Sequence, residues 1–152
     1  MTTEEVIERM KKYCAGAERS AHDVQTKLKE LDVPESSIQQ ILRVLHEEKF
    51  IDDTRYANAY TSEKLNLDLW GRAKITDALR KKNIDERIID KAIGSIDERE
   101  YLEKLHLVLQ KKYRDVKSGN AEDDAKRVMM FALSRGFEED LITEWLETHV
   151  LS

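Results

Sequence analysis

Residues 75–93, ITDALRKKNIDERIIDKAI, place Ile75, Leu79, Ile84, Ile89 and Ile93 at successive steps of 4, 5, 5 and 4 residues. A step of 4 keeps an apolar side chain on one face of a helix. A step of 5 to and from the middle residue marks a break in that face. The segment therefore reads as helix, short turn, helix. The same steps occur 51 residues earlier in Val24, Leu28, Val33, Ile38 and Leu42, and 53 residues later in Val128, Ala132, Phe137, Ile142 and Leu146. The chain thus carries one pattern three times, the signature of a repeat architecture.

The turns support the pattern independently. The residue before the middle position is Asp32, Asn83 or Gly136. These are the types that most readily take the left-handed conformation closing a helix. Pro34-Glu35, Asp85-Glu86 and Glu138-Glu139 follow, which suit a first helical turn. Ser20 with Asp23 resembles a capping box at the start of the first copy.

A further helix precedes each pair. One spans roughly 4–15, with Val6, Met10 and Cys14 on one face, and another roughly 53–66, with Tyr56, Ala57 and Tyr60 inward. The last spans roughly 98–114, with Tyr101, Leu105, Val108, Leu109 and Lys112 along its inner side and Asp97 as N-cap. The expected fold is all-α, with three tandem three-helix repeats at 1–50, 51–95 and 96–152 stacked into an elongated, curved array. Each copy has too few apolar side chains for comfortable independent stability, so neighbours should pack on one another.

Composition agrees. Of 152 residues, five are Gly and one is Pro, too few for a turn-rich β protein, and the 38% that are charged suit exposed helix faces. The N-terminus lacks an apolar signal stretch, and no run approaches the ~18 apolar residues of a membrane span. Cys14 is the sole cysteine, which excludes an intrachain disulfide and fits a reducing, cytoplasmic setting.

A net charge of −5 argues against a purely electrostatic nucleic-acid binder. The charge is nonetheless segregated. Arg72, Lys74, Arg80, Lys81 and Lys82 face only Asp77 within residues 72–82, whereas residues 138–147 hold five acids and no base. Helical geometry sets Lys74 and Lys81 on one outward flank and Arg80 on the other. Arg127 takes the repeat position of Lys74, Lys104 and Lys111 share a flank of the preceding helix, and Arg114 and Lys117 lead into the Gly119 turn. Such bases either solvate helix flanks or form a stripe that orients a partner. Met130 should face outward, and Trp70 lies in a joint between helices; each is inter-repeat packing or a partner contact. Trp145 aligns with Ile41 and Ala92 and reads as core.

The motifs at the joints resemble those of the RecX family. Glu18-Arg19-Ser20-x-x-Asp23-Val24-x-x-Lys27-Leu28 resembles its Arg-Ser-x-x-Glu-Leu-x-x-Lys-Leu opening, and Phe50-Ile51-Asp52-Asp53-x-x-Tyr56-Ala57 its Asp-Asp-x-x-Phe-Ala segment. Gly71-x-x-x-Ile75-x-x-x-Leu79-x-x-Lys82-Asn83-Ile84 and Arg135-Gly136-Phe137 are similar to its later stretches. The resemblance runs in order from about residue 18 to 146. Lys49, Asp32 and Asn83 depart from it by replacing turn glycines. The resemblance implies a monomeric regulator without cofactor. It would bind the recombinase RecA, mainly as its filament on single-stranded DNA, and restrain strand exchange, ATPase and coprotease activities, with weak direct DNA contact and no membrane.

No catalytic constellation is evident. His22, His46, His106 and His149 do not pair at metal-ligand spacing, and no phosphate loop or GxSxG turn occurs. Asp52 and Asp53 read as an N-cap with a dipole complement. The expectation is a binding protein, not an enzyme. The alternative is a helical repeat protein that binds DNA directly, which the acids at Glu138, Glu139 and Asp140 oppose.

Overall fold

The computed structural model describes residues 1–152 as nine helices without strands. They are α1 (Thr3–Gly16), α2 (Ala21–Glu30), α3 (Glu35–Glu47), α4 (Asp53–Asn66), α5 (Arg72–Lys81), α6 (Glu86–Gly94), α7 (Glu98–Val116), α8 (Ala121–Ser134) and α9 (Glu139–His149). None is long and apolar enough to cross a membrane.

The recurring step of 5 has a local cause. Val33 donates its amide to Leu28 O (3.1 Å), Ile84 to Leu79 O (3.3 Å) and Phe137 to Ala132 O (3.1 Å). Between them Asp32, Asn83 and Gly136 stand at φ 58°, 56° and 92°. This is the Schellman termination, in which a left-handed residue lets the next amide reach back to a carbonyl five residues earlier. It also brings the two apolar side chains at its ends together. The sequence period is therefore a hydrogen-bonding pattern as well as a hydrophobic one. Lys49 repeats the device at the end of α3, with φ 63° and a bond from the Phe50 amide to Leu45 O (2.8 Å). A left-handed lysine costs about 1–2 kcal/mol that glycine would not.

Helix starts are equally explicit. Ser20 and Asp23 form the reciprocal capping box that opens α2. Asp97 accepts from the Glu100 amide at the start of α7. Pro34 is the N-cap of α3, one position earlier than the first helical turn.

Twelve of the fifteen repeat positions are buried; Val33, Leu42 and Ile93 are half-buried. In α3 the inward line instead runs through Ile38, Ile41 and Leu45.

The chain forms two compact units, Met1–Ala59 with Leu79–Asp90, and Tyr60–Ala78 with Lys91–Ser152. The residues of the middle copy are divided between them, so compactness and sequence period partition the chain differently. In the first unit, α1 and α2 pack on α3 around Val6, Met10, Val24, Leu28, Ile38 and Leu45. In the second, α7, α8 and α9 pack on one another, with Tyr101, Leu109, Val128, Ala132 and Ile142 fully buried.

The start of α5 belongs to the second unit and is capped by tertiary contacts. Gly71 donates its amide to Arg135 O (2.7 Å), Ala73 to Gly136 O (3.1 Å) and Arg72 to Tyr101 Oη (3.0 Å). Three N–H groups that a helix start leaves open are thereby satisfied. The two backbones touch. A Cβ on Gly136 would lie 2.4 Å from Lys74 N, and one on Gly71 2.4 Å from Gly136 C.

Candidate functional site

Several polar side chains that invite a chemical reading serve the fold. Asp52 accepts the Arg55 amide (3.1 Å) and caps α4, while Asp53 accepts the Ala21 amide (3.0 Å) and secures the start of α2. Cys14 is half-buried against the core of the first unit, and burial pushes its thiol up. No cluster of three or more His, Cys, Asp or Glu side chains could hold a metal ion.

The sequence-derived bases fall into two groups. Arg72, Arg80 and Lys82 are held in internal ion pairs. In the second unit Arg72 reaches Glu98 and Glu138, each at 2.5 Å, with its guanidinium 3.8 Å from the Tyr101 ring centroid. Tyr101 donates its hydroxyl to Glu138. Burial, and that bond, push the phenol above its ordinary range. In the first unit Arg80 pairs with Glu86 at 2.8 Å, and Lys82 pairs with Asp23 of the capping box. Burial pushes the Asp23 carboxyl up, but Lys82 and the Ser20 amide outweigh it and hold the group below its usual value.

Several of the remaining bases are exposed. Lys81 is exposed at the end of α5, and Arg114, Lys117 and Arg127 are exposed in the second unit. Lys104 is half-buried beside Leu102, His106 and Leu107. Met130 is 71% exposed and faces outward, as its helical position predicts. Trp145 is half-buried and not core: it stacks on His149 at 4.3 Å and donates its indole N–H to His106 Nδ1 (2.9 Å).

Trp70 organises a cluster of cations, all of it in the second unit. Lys64 Nζ lies 4.8 Å and Lys74 Nζ 4.6 Å from its ring, and Tyr60 meets it edge-on at 6.4 Å. Lys64 also pairs with Asp68 (3.2 Å), and Arg135 reaches Asp68 O (3.4 Å). Asp68 adjoins a cleft of about 250 Å³ on whose lining stand Lys111, Lys112, Arg135, Leu107 and Phe131. Lys112 Nζ is 4.6 Å and the Arg135 guanidinium 5.0 Å from the Phe131 ring. Cations held over aromatic rings beside an apolar recess can receive anionic groups and flat or apolar moieties together.

Trp70, Lys74 and Lys111 stand out in the sequence, whereas their companions Lys64, Lys112, Arg135 and Phe131 do not. The Lys64–Asp68 spacing of 4 residues is the signal that points to the first. The others meet across helices, which spacing does not reveal.

Comparison with known proteins bears on this geometry. Residues 52–93 match the family model for the second three-helix domain of RecX, and residues 98–146 that for the third. Regulatory protein RecX of Limosilactobacillus reuteri is 30% identical over 133 residues, covering 88% of this chain and 50% of the relative. Its counterpart in Clostridium acetobutylicum is 29% identical over 135 residues, covering 85% of this chain and 61% of the relative. The chain therefore spans only about half to three-fifths of the length of these relatives. A crystal structure of regulatory protein RecX superposes with a TM-score of 0.88 at 28% identity, covering 97% of this chain and 72% of that one. RecX from Lactobacillus salivarius has the same fold, with a TM-score of 0.86 at 23% identity over 99% of this chain and 97% of that one. Repeat pattern, domain models and relatives agree, and the chain belongs to the RecX family of regulatory proteins.

Proposed function

We propose that this chain binds RecA, mainly as the filament on single-stranded DNA, and restrains its recombinase, ATPase and coprotease activities. It acts in the cytoplasm as a monomer, without a cofactor and without catalysis of its own. Its working parts are three three-helix repeats at residues 1–50, 51–95 and 96–152. The observation that supports the reading best is the cluster around Trp70. There Lys74 has no acidic partner, and aromatic surface lies beside it. A nucleoprotein filament offers phosphates, bases and acidic protein surface, which match such a cluster. A protein that reads duplex DNA would lay the second helix of the last pair in the groove, yet Glu139, Asp140, Glu144 and Glu147 are exposed on α9. The test is a RecA ATPase assay on single-stranded DNA with the full chain titrated in. Loss of ATPase at substoichiometric amounts is expected. Tight duplex binding with RecA turnover unchanged would overturn the reading in favour of a direct DNA binder.

A further inference from the structure

We propose that the cleft between α7, α8 and residues 68–69 is a docking groove for an acidic peptide segment of a protein partner, with carboxylates flanking a bulky apolar side chain. The proposal rests on the reading of the chain as a regulator of another protein, and it names the chemistry by which that partner is held. Three observations carry it, all within the second unit.

The first is the apolar lining. Leu69, Leu107, Val108 and Phe131 line a recess of about 250 Å³. Leu107 is 49% exposed on a helix whose opposite face is core, so an apolar side chain seated here would remove exposed hydrocarbon from water. The second is uncompensated charge. Lys111 and Lys112 form no ion pair, and the one hydrogen bond of the Arg135 guanidinium is the long one to Asp68 O (3.4 Å). Three cations around an apolar recess complement carboxylates placed on either side of an apolar residue. The third is backbone conformation. Leu69 stands at φ 55°, a region that a leucine rarely adopts. The bond from the Trp70 amide to Lys64 O (2.9 Å) ties down the joint that holds it there.

Asp68 and Asp115 decide between a peptide and a nucleic-acid strand. Both line the same cleft. A strand carries a charge at every nucleotide and would meet these carboxylates as it crossed. A peptide can place its acids against the lysines and turn backbone N–H donors toward Asp68 and Asp115.

The test is fluorescence anisotropy on the full chain. The probes are a fluorescein-labelled peptide of alternating glutamate and leucine, its glutamine-for-glutamate and alanine-for-leucine versions, and labelled oligo-thymidine. The glutamate–leucine peptide is expected to bind, and each altered peptide to bind about tenfold more weakly, a difference of about 1.4 kcal/mol. The double variant Lys111→Glu with Lys112→Glu should lose binding to a similar extent while remaining folded, its melting temperature lowered only slightly by loss of the Lys112–Phe131 contact. Lys126→Glu, exposed on α8 and outside the cleft, should bind as wild type does. Equal binding of the glutamate and glutamine peptides overturns the proposal, as does oligo-thymidine binding that the double variant abolishes while peptide binding persists. The RecA ATPase titration runs alongside. Peptide binding that depends on the cleft, with RecA unaffected, sinks the proposed function and leaves the groove standing. RecA inhibition that survives the double variant, with no peptide binding, does the reverse.

Discussion

Asn83 and Gly136 hold equivalent places in two copies of one turn, at φ 56° and 92°, yet they are not interchangeable. A Cβ on Gly136 would meet Lys74 N at 2.4 Å, and no side-chain rotation relieves a contact with backbone. Gly136→Asn should therefore cost about 1–3 kcal/mol or more, as overpacking does. Asn83→Gly should stay within about 1 kcal/mol, because the left-handed strain it removes offsets the freedom it adds. Thermal melts of the two variants check this. That a left-handed residue belongs at these positions was legible in the sequence; that one of them must be glycine was not, because its reason lies 62 residues away at Lys74. Two carboxylates set the acid response. Asp23 is held below its usual value by Lys82 and Ser20 against the opposing effect of burial. Asp124 is held low by the Ser118 hydroxyl (2.7 Å) and amide (3.0 Å). Each binds its proton less readily folded than unfolded. Their stabilisation is complete above the unfolded carboxylate value, about 3.9, and is lost as pH falls through the lower folded values. The melting temperature should be level near neutrality and fall below about pH 4. In Ser118→Ala, a carboxyl NMR titration of Asp124 should show its midpoint moved upward.

At the level of elements, the helices were largely legible. The spans read as 4–15, 53–66 and 98–114 are Thr3–Gly16, Asp53–Asn66 and Glu98–Val116 in the structure. The reason is that each boundary is written locally, in a cap or a left-handed residue. The step from Leu79 to Ile84 joins both ends of one such boundary, by the backbone bond and by burial of both side chains. Leu79→Ala and Ile84→Ala should each destabilise by about 2–5 kcal/mol. Because they close one turn, the double variant should depart from additivity by about 0.5–3 kcal/mol. Strict additivity in urea titrations would mean that the two side chains do not act together. The candidate site was legible only in part. Trp70 and Lys74 stand out in the sequence, whereas Arg72 looks like their equal. Its use as an internal tie depends on Glu98 and Glu138, 26 and 66 residues away. Trp145 misled for a related reason: the repeat register points it inward, but the histidine rings of α7 and α9 hold it at the rim.

For the molecule as a whole, a net charge of −5 would repel the anionic filament proposed as its partner at long range, so attraction to it would have to come from local segregation of charge. Lys74, Lys81 and Arg127 lie outside the apolar faces of α5 and α8, and Lys74 and Arg127 occupy the same repeat position. Reversing all three to glutamate should weaken both filament binding and ATPase inhibition. The cost to folding should be small, under about 0.5 kcal/mol for each exposed site. Lys74 should lose a further amount of about 0.5–1 kcal/mol from its contact with Trp70. If the three bases meet phosphate or acidic surface, fewer counterions are released on binding, and the slope of log affinity against log salt should flatten. The control is Glu144→Lys with Glu147→Lys on the acidic face of α9, which changes net charge in the opposite direction. Were the effect one of net charge alone, the control would strengthen binding as much as the triple variant weakens it, scaled to the charge moved. A local contact predicts a large effect from the triple variant and little from the control. Affinity measured at two salt concentrations, beside a melting curve for each protein, separates the two. An unchanged slope in a folded triple variant would assign these bases to solvent. The contact would then fall to the exposed apolar residues of the second unit, Met130 and Leu107, for which weak salt dependence is the expected signature.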